Sequence, residues 1–277
     1  GGYYVQIGRM TYEELYYPLL QCYLANPWAD VYTLPDYVPT TQDSEEDVWL
    51  KVRETVDFSS IFLYELPSRI RERAMPVVHG HPLDQVEYCL DRYFNLGVKH
   101  IGFGSFGTGG KNNEANVMTQ GAQSFARRVV LIAQDAGMKV HLFGVGAPAL
   151  VAMIYGTGAD SFDSSSWLKS AGYGQIHLPF TRGYNISHNN GQSELQKGIT
   201  IEAFKHLKEV TGHSCPYCES IKKLQTVKLV RAIHNLVCIA ESVDMINQQH
   251  EYDRIRTIYA SGSPRYRKEF ERWLLPS

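Results

Sequence analysis

Short apolar runs alternate with amphipathic helical stretches between Asp30 and Phe162, and this alternation constrains the fold more than any other feature. The runs are Asp30–Leu34, Met75–His79, Val98–Phe103, Lys139–Phe143 and Ala159–Phe162; helix-like segments lie between them at about Glu45–Val56, Pro82–Leu96, Asn116–Ala136 and Pro148–Tyr155. Strand, helix, strand in this order predicts an α/β fold with a parallel sheet. Every run ends in polar, glycine or proline residues. A closed TIM barrel and an open doubly wound sheet both place chemistry at the carboxyl ends of their strands. The alternation alone does not separate them. Asp36, Asp160 and Asp163 all fall at or near predicted strand ends, where a carboxylate is placed to act. Each alone reads equally well as a helix cap or turn residue.

A chain of 277 residues that is 44% apolar can bury one large core, or a core plus a small appendage. No run approaches the eighteen or so apolar residues of a membrane span. The first residues lack the basic and apolar regions of a signal peptide. The formal charge of −2 is unlike that of an electrostatic DNA binder, so nucleic-acid contacts would need local basic patches. Arg265, Arg267 and Lys268, interleaved with Tyr266, Phe270 and Trp273, form one such patch or an amphipathic terminal helix. Five cysteines, an odd number, argue against a disulfide framework and for a reducing, cytoplasmic setting. Cys22, Cys89 and Cys238 read as core thiols.

The segment from Gly102 to Lys111 is glycine-rich. Gly102, Gly104 and Gly107 fit a dinucleotide fingerprint, but the next strand ends Leu142-Phe143-Gly144 without the acidic residue that reading needs. A phosphate loop also fails, because Asn112 follows Lys111. What remains is a backbone bend, or a strand end bare of side chains that a flat ligand could approach. After Ser164 the alternation stops. Trp167–Asn190 reads as a long loop, followed by a helix near Thr200–Val210 and a long helix at about Ser220–Gln248.

His213, Cys215 and Cys218, followed at a distance by His234, give the pattern of a structural zinc site: a close triplet and a remote fourth ligand. Cys215-Pro216-Tyr217-Cys218 alone could be a redox pair, although no thioredoxin-like strand precedes it.

These residues together resemble the guanine transglycosylase superfamily. Its tRNA-guanine transglycosylases carry a Gly-Val-Gly turn and a later strand ending in Phe-Asp. Here these stand as Gly144-Val145-Gly146 and Phe162-Asp163. The resemblance implies that Asp163 is the nucleophile and that His213, Cys215, Cys218 and His234 bind zinc. His213 stands where the family has a cysteine. It further implies a TIM (β/α)8 barrel with an inserted zinc subdomain. The expected division is a catalytic barrel over 1–198, the zinc subdomain over 199–250 and a helical tail over 251–277. Gly1-Gly2-Tyr3 resembles the end of a motif whose Asp would precede residue 1, along with the first strand or strands.

The resemblance also implies the base site. Asp36 would read the guanine edge, with His79, Gly104, Ser105 and Gly144 around the base and Tyr3 and Phe143 stacking on its two faces. A carboxylate suits the adjacent N1–H and 2-amino donors of guanine. Asp163 would attack C1′ of a flipped-out nucleotide, guanine would leave, and a 7-deazaguanine would displace the carboxylate. Leu34-Pro35-Asp36-Tyr37-Val38-Pro39 and Phe162-Asp163-Ser164-Ser165-Ser166-Trp167 look closer to the relatives that act on DNA than to the tRNA enzymes. A tRNA enzyme and a zinc-containing nucleic-acid-binding subunit without activity are the alternatives. The sequence leaves open a homodimer or an accessory subunit. No membrane partner is expected.

Overall fold

The computed structural model describes residues 11–40, 43–80, 82–104, 120–187, 198–262 and 264–274. Tyr3 and Ser105 lie outside the described residues. Two compact units divide the chain: Gly1–Gly144 with Gly158–Asp163, and Val145–Thr157 with Ser164–Ser277.

The first unit holds the expected parallel strands: β1 (Tyr32–Thr33), β2 (Ala74–Met75), β3 (Val77–Val78), β4 (His100–Phe103), β5 (Lys139–Leu142) and β6 (Ser161–Phe162). β1 pairs with β2, and β3, β4, β5 and β6 lie side by side in chain order, every pair parallel. Pro76 separates β2 from β3 because it has no N–H to give. The stretch still serves both neighbours: Leu34 N–H donates to Met75 O (3.0 Å) and Gly102 N–H to Pro76 O (2.9 Å). Val78, Ile101, Phe103, Val140 and Leu142 are buried, as both-face burial of a parallel sheet demands.

The helices of this unit are α1 (Tyr12–Ala25), α2 (Glu45–Glu65), α3 (Ser68–Arg71), α4 (Leu83–Asn95) and α5 (Gln120–Asp135). Ser44 and Asp47 close a reciprocal capping box at the start of α2. That helix runs past the expected end at Val56, because Ser59, Phe62 and Leu63 continue the buried stripe. It stops at Leu66, which precedes Pro67 and is extended (ψ 136°).

In the second unit lie α6 (Val151–Thr157), α7 (Ser166–Gly172), the antiparallel pair β7 (Gln175–Ile176) and β8 (Tyr184–Asn185), α8 (Ile201–Thr211), α9 (Ile221–Thr226), α10 (Lys228–Ile246), α11 (Tyr252–Gly262) and α12 (Pro264–Leu274). Two expectations are corrected here. The segment 167–190 is not a plain loop: it carries α7, β7 and, within its described part, β8. The helix expected over 220–248 is two helices broken at Val227. Arg231 holds the break, its guanidinium donating to the carbonyls of Leu224 (2.8 Å) and Gln225 (2.9 Å) at the end of α9. The C-terminal segment forms an amphipathic helix, with Phe270 buried and Arg267 paired to Glu271 at 2.8 Å. Among the described residues no helix is long and apolar enough to cross a membrane.

Candidate active site and metal-ligand cluster

The carboxyl ends of successive strands carry the candidate residues of the first unit. Asp36 follows β1, His79 follows β3, Gly104 follows β4, Phe143 and Gly144 follow β5, and Asp163 follows β6. Strand periodicity decides which of them share a face. Side chains two apart point the same way, and His141 is in register with Ser161 on the neighbouring strand. His141 and Phe143 on one strand therefore stand beside Ser161 and Asp163 on the next.

Contacts bear this out. The Asp163 carboxylate accepts the Gly144 N–H at 2.8 Å, and the same oxygen, Oδ1, lies 3.4 Å from His141 Nε2. His141 Nδ1 is 2.9 Å from Ser161 Oγ. With the Ser161 hydroxyl donating to Nδ1, the proton of a neutral His141 sits on Nε2 and faces Asp163. The His141 hydrogen bond holds the Asp163 carboxyl below the usual carboxylate range; burial opposes this and the Gly144 amide adds to it. Asp163 is therefore an anion at neutral pH, with its side chain 54% exposed. Asp160 lies at the amino end of β6, not at a carboxyl end, and takes a structural role: it accepts the Val140 N–H at 2.8 Å and ties β5 to the start of β6.

Phe143 lies against bare backbone. A Cβ on Gly102 would come within 2.2 Å of the Phe143 ring, and one on Gly104 within 3.4 Å. Gly102 of β4 is required by this aromatic ring, which meets the His141 ring edge-on at 4.8 Å between centroids. Gly144 adopts φ +68°, a turn that aims its N–H at Asp163. On the other side of β4, buried His79 binds Asp36 through Nε2 and Oδ2 at 2.9 Å. Its Nδ1 is buried and has no hydrogen-bond partner among the described residues.

In the second unit, His213, Cys215, Cys218 and His234 are all buried, with their ligand atoms within 4.8 Å of one another. Local structure explains the convergence. α8 ends in left-handed Gly212 (φ +63°), and His213 N–H returns to Lys208 O at 3.1 Å, which turns His213 inward. Pro216–Cys218 is one 3-10 turn, in which positions three apart eclipse, so both thiols face the same way. On α10, His234, Cys238 and Glu241 fall at i, i+4 and i+7, on one helix face. Ile176, Leu178, Ile186, Phe204 and Leu224 pack around the two cysteines.

The donor set fits a metal ion. His234 Nε2 donates to His177 O at 2.9 Å, leaving Nδ1 toward Cys215 Sγ at 3.4 Å. His213 Nδ1 is held by Glu241 Oε2 at 2.5 Å, leaving Nε2, 3.9 Å from Cys238 Sγ, as the nitrogen for an ion. Imidazole ligands of metals have this arrangement, one nitrogen tied to a carbonyl or carboxylate. Cys218 is held below the ordinary thiol range, chiefly by the Cys215 thiol and against the effect of burial, with His213 and His234 adding to it. Such a thiolate is the form that binds metal. Cys238, expected as a core thiol, is buried but also lines the cluster, 3.9 Å from His213 and bonded to His177 O at 3.3 Å. Asn235 clamps the segment behind it, accepting from His177 N at 2.8 Å and donating to Trp167 O (3.2 Å) and Gln175 O (3.1 Å).

His141, Ser161, His177 and Glu241 were not expected to act. A polar His and Ser in otherwise apolar strands, and a Glu seven residues after His234, were the available signals.

Strand-end carboxylates on a parallel α/β sheet, together with a Cys/His cluster able to hold an ion, define an enzyme of the α/β class. The sequence model of the queuine tRNA-ribosyltransferase family matches residues 26–267, and the chain belongs to that family. The family implies a TIM barrel, which the parallel strands in chain order accord with. Its members are pentosyltransferases, so the chain is an enzyme of guanine transglycosylation, with nucleic acid and a guanine base as reactants. No curated protein matches the chain.

Proposed function

We propose that the chain exchanges a guanine in DNA for a 7-deazaguanine through a covalent Asp163 intermediate. The observation that carries this reading is the Asp163 carboxylate, anionic, partly exposed and held at one oxygen beside Phe143. Phe143, packed against the backbone at Gly102 and Gly104, supplies a stacking face. Asp36, held by His79 through one oxygen, has its other oxygen for the guanine edge. Tyr3 and Ser105 complete the proposed contacts. On this reading residues 1–198 are the catalytic part, 199–250 the zinc subdomain and 251–277 a helical tail.

DNA is favoured by the Leu34–Pro39 and Phe162–Trp167 stretches. A tRNA substrate is the second reading, favoured by the family description. The test is base exchange, with labelled guanine and then a 7-deazaguanine offered alongside DNA and, separately, tRNA. Label entering DNA alone is the expected result, and entry into tRNA alone would transfer the chain to the second reading. No entry into either would leave a zinc-containing binding subunit.

The ion proposed for His213, Cys215, Cys218 and His234 is zinc in a structural role: four protein donors fill a tetrahedral shell and leave no position for substrate. When bound, it would cross-link α8, the Pro216–Cys218 turn and α10. Glu241→Gln should weaken zinc retention about 10- to 100-fold, the usual effect of losing a carboxylate behind a ligating imidazole. Zinc content after dialysis against graded chelator measures it; unchanged retention would remove Glu241 from the site.

A further inference from the structure

The two oxygens of Asp163 are not equivalent. Gly144 N–H at 2.8 Å and His141 Nε2 at 3.4 Å both converge on Oδ1. We propose that Oδ2 forms the bond to C1′, that Oδ1 becomes the carbonyl oxygen of the glycosyl ester, and that His141 is a positioning residue that eases the departure of Asp163 in the second displacement. This inference rests on the reading of Asp163 as nucleophile.

The argument is one of charge. In the first displacement an Oδ2 lone pair forms the C1′–O bond while the C1′–N9 bond breaks and its electron pair leaves with guanine. In the second, N9 of the incoming base supplies the pair for a new C1′–N bond and loses its proton to solvent. The C1′–Oδ2 pair then returns to the carboxylate. An ester oxygen carries less negative charge than a carboxylate oxygen, so a donor on Oδ1 binds the free carboxylate more strongly. Such a donor makes Asp163 a weaker nucleophile and a better leaving group. The depressed acidity constant of Asp163, owed first to His141, has the same sign.

On this proposal Ser161 sets the direction of the bond: a hydroxyl donating to His141 Nδ1, 2.9 Å away, leaves the proton on the other nitrogen, toward Asp163. The groups that face His141 are Ser161, Asp163 and the edge of Phe143, with His100 acting electrostatically from β4. Since His141 is paired in register with Ser161, the contact is fixed by sheet hydrogen bonding rather than by a loop.

A merely structural His141 would lose both displacements together, whereas the proposed role separates them. The test uses the whole chain with a guanine-containing DNA oligonucleotide and, in parallel, tRNA. Denaturing gels measure the trapped protein–nucleic acid adduct, and steady-state exchange gives kcat and KM. His141→Phe keeps a ring and removes the donor. The adduct should accumulate and kcat should fall about tenfold, the low end for loss of a hydrogen bond to a charged group, with KM little changed. His141→Gln, which retains an N–H, should restore both toward wild type. Ser161→Ala should shift the adduct the same way by less, and it guards against a misfolded His141 variant. Adduct and kcat falling together in folded variants, or neither changing, would overturn the role of His141. Wild-type protein that forms no adduct with either nucleic acid would overturn the nucleophile itself, a separate failure.

Discussion

Asp163→Ala should reduce base exchange by a factor on the order of 10⁴ to 10⁶, the scale seen when the nucleophile of a covalent mechanism is removed. Double displacement depends on a group that takes the sugar after guanine leaves. Among the described residues, none of the groups around Asp163 replaces it. His141 is a ring bonded to Ser161, Gly144 offers only an amide, and Asp160 is spent on the Val140 N–H. Asp163→Asn is the sharper variant. Its side-chain oxygen can still accept the Gly144 N–H, so the local shape survives while the anion is gone. Because the Asp163 side chain is 54% exposed, Asp163→Ala should cost about 1 kcal/mol, the net worth of the Gly144 hydrogen bond it gives up, and Asp163→Asn less. Exchange and thermal melting measured on the same preparations separate the two effects. Exchange within about tenfold of wild type, judged against such catalytic losses, would sink Asp163 as nucleophile.

Cys218→Ser should strip the metal and lower the melting temperature by an amount on the order of 10 °C. An ion present at a thousand times its dissociation constant contributes about 4 kcal/mol of stability. A domain of this size shifts by a few degrees for each of these. Cys218 is chosen because its thiol is held below the ordinary range, chiefly by Cys215, and because it sits in the short Pro216–Cys218 turn. Chelator should bring the wild type down to the melting temperature of the variant and leave the variant unmoved. Elemental analysis showing no zinc in wild type, with melting indifferent to chelator, would contradict the structural-metal reading.

The parallel strands were legible because each is an apolar run closed by polar or glycine residues; His213, Cys215 and Cys218 stood out by their close spacing, whereas Asp163 was singled out by the resemblance. What escaped the sequence depends on distant pairing. Helix α1 did not stand out, since its tyrosine-rich stretch encloses Pro18 and separates weakly into two faces. The pair β7 and β8 is only two residues long on each strand and is held by the Asn235 side chain from another helix, so no local pattern announces it. The break at Val227 was hidden because apolar residues continue through it, and the guanidinium that satisfies it belongs to Arg231, four residues later. His141 required the register of β5 against β6, and Glu241 required knowing which face of α10 meets the knuckle.

Glu241 differs from the ligands it supports in one respect: its side chain is 33% exposed, while the side chain of His213 is fully covered. Solvent can therefore reach the outermost carboxylate of the cluster but not the imidazole it holds. An ion held there would be guarded by time as well as by affinity. Its escape would wait on a local opening of the turn or of α10, on the slow timescale of such openings, so exchange with the surrounding pool would be paced by the protein rather than by the concentration of whatever competes for the metal.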